Sequence, residues 1–301
     1  MPLFRRKKKG HQVRVKRYYG KNGITIELPE NKDRDIRKLD AEMNWEDCER
    51  LREIGKACIL NKYFDLAEMV FERVMELDPD DDDAVIQFSS ALLNQRRWDE
   101  AEEIISNYFS TDPTSSVAHQ FLSVIYEKKG EYQKSQAEMY KALECDPNNE
   151  NALWMAYWRA HKLSGNEGAL QEMQDLATKY PKAWGPIYIM ARHFEDLHPK
   201  NAKKYYESAL QRDDSDAILT SYTAFLGKIG SYREMIKIVE ASRKRRSVDF
   251  RVLFNLGEAY LEEGQVDKAY DVSLELQGVV PPPYGKRLKD FVHRVRAAKG
   301  T

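Results

Sequence analysis

A chain of 301 residues and 35.1 kDa, 42% hydrophobic, can bury a core, and its 32% charged share exceeds the ~25% usual for globular domains, which favours a high surface-to-volume shape. No run reaches the roughly 18 apolar residues of a membrane span, and Met1 leads directly into Arg5, Arg6, Lys7, Lys8 and Lys9, so neither a spanning nor a Sec-secreted chain is expected. Cys48, Cys58 and Cys145 are widely spaced and form no C-x-x-C pair, which argues against a disulfide framework or a zinc site and for a reducing, cytoplasmic setting.

The net charge of −1 combines two different objects. Residues 1–21 carry nine Lys/Arg and no acid, whereas the remaining 280 residues hold 39 basic and 49 acidic groups. Residues 1–44 are read as a basic arm, disordered or carrying a small β-hairpin, because Val13-Arg14-Val15 and Ile24-Thr25-Ile26 alternate around Gly20-Lys21-Asn22-Gly23 and a lone hairpin is marginal. For Arg5 to Lys9 three readings stand: a solvated tail, a weak anchor for anionic lipid or nucleic acid, or a nuclear-import address in a eukaryote.

From residue 45 the chain is periodic. Pro79, Pro113, Pro147 and Pro181 recur every 34 residues, each after an amphipathic stretch such as the one ending Glu76-Leu77-Asp78-Pro79. Proline cannot continue a helix and disfavours helix in the residue before it, so each stops a second helix at a fixed phase. Counting from Cys48, the first unit has Leu51, Ile54, Gly55, Ala67 and Phe71 ahead of Pro79. The second, from Asp82, has Val85, Phe88, Ser89, Trp98 and Ala101; the third, from Ser116, has Leu122, Ser123, Tyr126, Gly130 and Ser135. Small residues at the eighth and twentieth positions let two helices of one unit approach closely. The fourth unit, from Glu150, keeps Leu153 and Ala169 but puts Tyr157 where a small residue belongs. A fifth begins near Ala183, a sixth at Asp216 and a seventh at Phe250, with turns expected near Asn61, Gln95, Lys129, Gly165, His198, Gly230 and Gly264. Beyond Pro281-Pro282-Pro283, residues 285–299 place Leu288, Phe291, Val292 and Val295 at helical spacing, as an end cap requires.

This pattern resembles the tetratricopeptide repeat family. The resemblance implies an all-α solenoid of about seven helix-turn-helix repeats with a C-terminal capping helix, spanning residues 45–299, and a non-enzymatic scaffold that binds a peptide or helix of a partner protein in its concave groove. On helix A of each repeat the groove positions are the second, fifth, ninth and twelfth. They give Arg52 and Lys56 in the first repeat, Gln120 in the third, Trp154, Trp158 and His161 in the fourth, and Trp184 and Ile187 in the fifth. Three of five tryptophans fall there, where either an apolar partner or core filling around Tyr157 would use them, and the Trp154 and Trp158 indoles are expected to be similarly accessible. The carboxylate clamp of chaperone adaptors is approximated only at Arg52 and Lys56, followed by Gln87, Val117 and Phe121, so these residues suit an acidic peptide better than a chaperone terminus. Trp154 to His161 also resembles half-a-TPR repeats of RNA-processing scaffolds, in one helix only; with the basic arm this gives the alternative of a nucleic-acid-associated scaffold.

Catalytic signals are wanting. Asp78 to Asp83 lacks the glycine and final glutamate of a calcium loop, and its aspartates are read as helix caps. His193 and His198, five residues apart, point ~140° from each other on a helix and are read as surface histidines. Phosphate-binding, dinucleotide and nucleophile-elbow motifs do not occur, so no cofactor, metal or catalytic residue is expected.

Overall fold

The computed structural model describes residues 15–19, 25–79, 81–109, 112–281 and 284–300. They fall into two compact units, Met1–Pro113 and Thr114–Thr301.

In the first unit, β1 (Val15–Tyr19) and β2 (Thr25–Pro29) pair antiparallel, with Val15 opposite Pro29 and Tyr19 opposite Thr25. Helix α1 (Glu30–Met43) follows at once, in a stretch that the sequence assigns to a disordered arm or hairpin. Ile36, Leu39 and Met43 recur at helical spacing, yet all three are exposed and only Ala41 is a buried apolar residue. Ion pairs hold it instead, Arg34 with Asp65 and Asp40 with Arg50.

Helices α2 (Cys48–Leu60), α3 (Phe64–Leu77), α4 (Asp82–Asn94) and α5 (Trp98–Tyr108) form the next two hairpins. Asp47 and Asp81 cap α2 and α4, accepting from the backbone N–H three residues on, so Asp81 acts as the acidic cluster predicts. The close approach at Gly55 is real: a Cβ there would lie 2.6 Å from the Phe71 ring. Both hairpins turn through a left-handed residue at position fifteen, Lys62 (φ 63°) and Arg96 (φ 62°), where Gly130, Gly230 and Gly264 stand in later repeats.

The second unit contains α6 (Ser116–Lys129), α7 (Tyr132–Cys145), α8 (Glu150–Lys179), α9 (Gly185–Phe194), α10 (Pro199–Arg212), α11 (Asp216–Lys228), α12 (Tyr232–Arg243), α13 (Phe250–Glu262), α14 (Val266–Val279) and α15 (Gly285–Lys299). Ser123 Oγ donates 2.7 Å to the carbonyl of Ser135, so the small pair between α6 and α7 is also hydrogen-bonded. α8 reverses at Ser164 and Gly165 (φ 67°, ψ −159°). Arg159 consequently reaches within 3.9 Å of Glu172, although thirteen residues of straight helix would separate them by roughly 20 Å. At the C-terminal end, Phe291 of α15 enters the space above Gly257, the place Phe71 takes above Gly55. Ser273 stands in the seventh repeat where Phe71 stands in the first, leaving that space to the cap. Apart from the β1–β2 pair, each unit is thus all-α and built of helical hairpins, and the second is closed by a terminal helix. No helix among the described residues is long and apolar enough to cross a membrane.

Candidate functional site

Helices α6, α7 and the first half of α8 enclose a groove of about 880 Å³. Its walls are the concave positions Gln120, Val124 and Glu127 of α6 and Asn151, Trp154 and Trp158 of α8, while Ser135 and Met139 of α7 contribute from behind. The lining is apolar in its middle, and three large apolar side chains stand open at it: Leu163 (72% exposed), Tyr132 (69%) and Trp158 (57%). These are the most exposed large apolar residues among those described in the second unit. Exposed apolar side chains gathered at one groove mark a place for a covering partner.

The aromatic wall is built from Tyr157 upward. Its ring is buried, and its hydroxyl lies 2.7 Å from His193 Nδ1 on α9. A polar tip with a partner is what allows a tyrosine where a small residue is expected. His193 is therefore half-buried rather than a surface histidine, and burial, reinforced by His161 and His198, pushes its pKa down; His198 is exposed. Tyr157 meets Trp154 and Trp158 edge-on at 5.3 and 5.0 Å, and the two indoles stack at 6.2 Å with 22° between planes. The expected likeness of the two tryptophans fails here: Trp154 is half-buried against the core and Trp158 is open. His161 adds an edge-on contact to Trp158 at 5.4 Å.

Arg159 is fixed at the groove by Tyr140, whose hydroxyl accepts from Arg159 Nη2 (2.6 Å) and donates to Glu172 Oε1 (2.7 Å). Burial first, and the bond to Glu172 second, push the Tyr140 pKa up to about 12. The hydroxyl thus stays a neutral bridge.

Other expected site residues lie elsewhere. Ile187 is 7% exposed and belongs to the core. Helix α9 starts at Gly185 with Trp184 as its N-cap and Pro186 in its first turn, and in that register Ile187 and Ala191 are buried. Trp184 packs edge-on against Tyr188 at 5.8 Å and does not line the groove with Trp154 and Trp158. In the first unit Arg52 binds Asp78 (2.9 Å) and Asp81, Lys56 binds Asp83 (2.8 Å), and Gln87 Nε2 donates 3.2 Å to Asp83 Oδ1. The chain's own carboxylates therefore occupy the basic pair that the sequence offers to an acidic peptide. Arg5, Arg6, Lys7, Lys8 and Lys9, and Pro282 and Pro283, lie outside the described residues.

Residues the sequence reading missed are Tyr132 and Met139 of α7 and Met155, Arg159 and Leu163 of α8. Counting concave positions on helix A cannot find a wall supplied by helix B. The available signal was Tyr132 and Leu163, apolar at the tips of their hairpins.

Helical hairpins with caps at a constant phase and a grooved inner surface define an α-helical repeat scaffold. Residues 60–125 and 117–149 each match a family profile described as tetratricopeptide repeat, so the chain carries tetratricopeptide repeats over that span. Among solved structures, it is similar to yeast Tom70, with TM-score 0.56 and 16% identity over 90% of this chain and 59% of that one. It thus spans less than two thirds of Tom70's length, and the likeness is one of fold. It also resembles a tetratricopeptide repeat protein from Parabacteroides merdae (TM-score 0.42, 12% identity, 82% of this chain, 98% of that one) and pilF of Pseudomonas aeruginosa (0.40, 21%, 66% and 91%). No curated protein matches the chain.

Proposed function

We propose that this protein is a non-enzymatic interaction scaffold that holds an apolar segment of a partner protein, a helix or an extended peptide, in the groove between α6, α7 and α8. The observation that carries this reading is the convergence of Leu163, Tyr132 and Trp158, the most exposed large apolar residues described in the second unit, on one groove. Trp and Tyr give large contact area for little lost conformational freedom, and Met139 and Met155 beside them adapt to the shape of an inserted side chain. Arg159 and Lys162 on one wall and Glu127 on the other would orient the segment.

A photo-crosslinking side chain at Leu163, with a second at exposed Lys204 on α10 as control, tests the proposal in extract from the protein's own source. Adducts specific to position 163 that vanish in Trp158→Glu support it. The same adducts at both positions, or adducts indifferent to Trp158→Glu, contradict it.

A further inference from the structure

Helix α15 carries six Lys/Arg and one acid, and these cations divide into two sets. Those turned toward the body are engaged: Arg287 lies 4.6 Å over the Phe254 ring, Arg294 pairs with Glu258, and Lys299 sits 3.0 Å from Asp267 and 4.2 Å over Tyr270. The others, Lys286, Lys289 and Arg296, together with His293, are exposed and have no ion-pair or hydrogen-bond partner among the described residues. Their steps of three, four and three residues put them within roughly 80° of arc and along roughly 15 Å of axis. Asp290 falls about 40° outside this stripe. A terminal helix needs a polar outer face, but mixed charges would serve that purpose; an unpaired row of one sign costs repulsion that solubility does not require.

We infer that this stripe docks an acidic helix of another protein, one with carboxylates repeating at three- and four-residue steps. The surface is separate from the α6–α8 groove and its role does not depend on that groove. The matching interval is the first reason: two helices lying side by side place such rows in register, as flanking charges do in coiled coils. The other polyanions fit less well. Three cations alone attract an anionic lipid surface only weakly, and Phe291 and Val295 of α15, which could add insertion, are buried in the body. Single-stranded nucleic acid favours large aromatic faces for stacking, and on α15 Phe291 is buried, which leaves only the small imidazole of His293 exposed. Residues 22–301 also carry 39 basic and 49 acidic groups, a balance that repels a dense phosphate chain more than a short acidic helix. Exposed ion pairs are individually weak, so the stripe sets orientation and encounter rate more than affinity.

The test uses the full chain at low ionic strength and a labelled alanine-rich helical peptide with glutamates at three-, four- and three-residue steps. A peptide of the same composition with scrambled spacing, an oligothymidine and phosphatidylserine vesicles are the comparison probes. The registered peptide is expected to bind roughly fivefold or more tightly than the scrambled one. The variant Lys286→Glu/Lys289→Glu/Arg296→Glu should lose that binding with unchanged melting, Lys200→Glu/Lys204→Glu on α10 should keep it, and a lysine version of the registered peptide should bind the triple variant. Equal binding of registered and scrambled peptides, unaltered binding by the triple variant, or failure of the lysine peptide to recover binding overturns the inference. So does tighter binding to oligothymidine, with affinity falling roughly as the square of salt, or to the vesicles.

Discussion

Gly257 allows the cap to close, and replacing it gives a signed test of the packing. A Cβ at this position would lie 2.4 Å from Phe291 Cζ and 3.1 and 3.2 Å from the neighbouring ring carbons. Carbon atoms pack at roughly 3.5–4.0 Å, so the ring would have to retreat by more than about 1 Å. Phe291 is 1% exposed and its ring is set edge-on to Phe254 at 6.0 Å, which leaves it little room to do so. Overpacking of this kind costs roughly 1–3 kcal/mol, while exchanging glycine for alanine in a helix returns up to about 1 kcal/mol. Gly257→Ala should therefore destabilise by up to about 2 kcal/mol net. Gly278, in α14, has no atom within 4 Å of where its Cβ would be, so Gly278→Ala should stabilise by up to about 1 kcal/mol. Urea denaturation followed by circular dichroism reads both, and adding Phe291→Leu to Gly257→Ala should recover part of the loss. Two glycine variants that shift stability in the same direction would refute the close approach of α13 and α15.

The remaining expectations are independent of the cap. Lys62→Gly and Arg96→Gly should each stabilise by about 1 kcal/mol, because both residues hold a left-handed conformation that costs a side chain roughly 1–2 kcal/mol; a loss in a denaturation midpoint would contradict it. Ala101, fully buried between α4 and α5, should not tolerate Ala101→Leu, which overpacks by roughly 1–3 kcal/mol; an unchanged melting point would mean that the assigned phase is wrong. Burial pushes the Cys58 thiol up to about 11, so it remains neutral until strongly alkaline pH, whereas Cys145 is exposed. Alkylation near neutral pH followed by mass spectrometry should modify Cys145 first and reach Cys58 only on unfolding; equal rates would refute the burial of α2.

The repeating architecture was open to reading because its determinants are local and periodic: Pro79, Pro113, Pro147 and Pro181 after second helices, Gly55 facing Phe71, and Ser123 facing Ser135. Where the sequence misled, distant residues decide. α1 pairs with charges on α2 and α3, and its helically spaced Ile36, Leu39 and Met43 are left exposed. The fifth repeat starts its first helix at Gly185, two residues past Ala183, and in that register Ile187 falls in the core. Tyr157 fits because its hydroxyl is hydrogen-bonded to His193, thirty-six residues on. Charge misled in the same way, since Arg52 and Lys56 look available until Asp78, Asp81 and Asp83 fold onto them. The groove itself is a tertiary object, made when Tyr132 and Met139 come up behind α6 and α8.

Whether the open aromatic wall serves a partner or merely completes the fold is settled most directly by Trp158→Ala, with stability and crosslinking at Leu163 measured on the same preparation. Trp158 is 57% exposed, so the substitution should change stability by no more than about 1 kcal/mol while abolishing the adduct. A destabilisation of roughly 3–5 kcal/mol, as for a buried tryptophan, or an adduct that persists in a variant melting like the parent, would contradict the account.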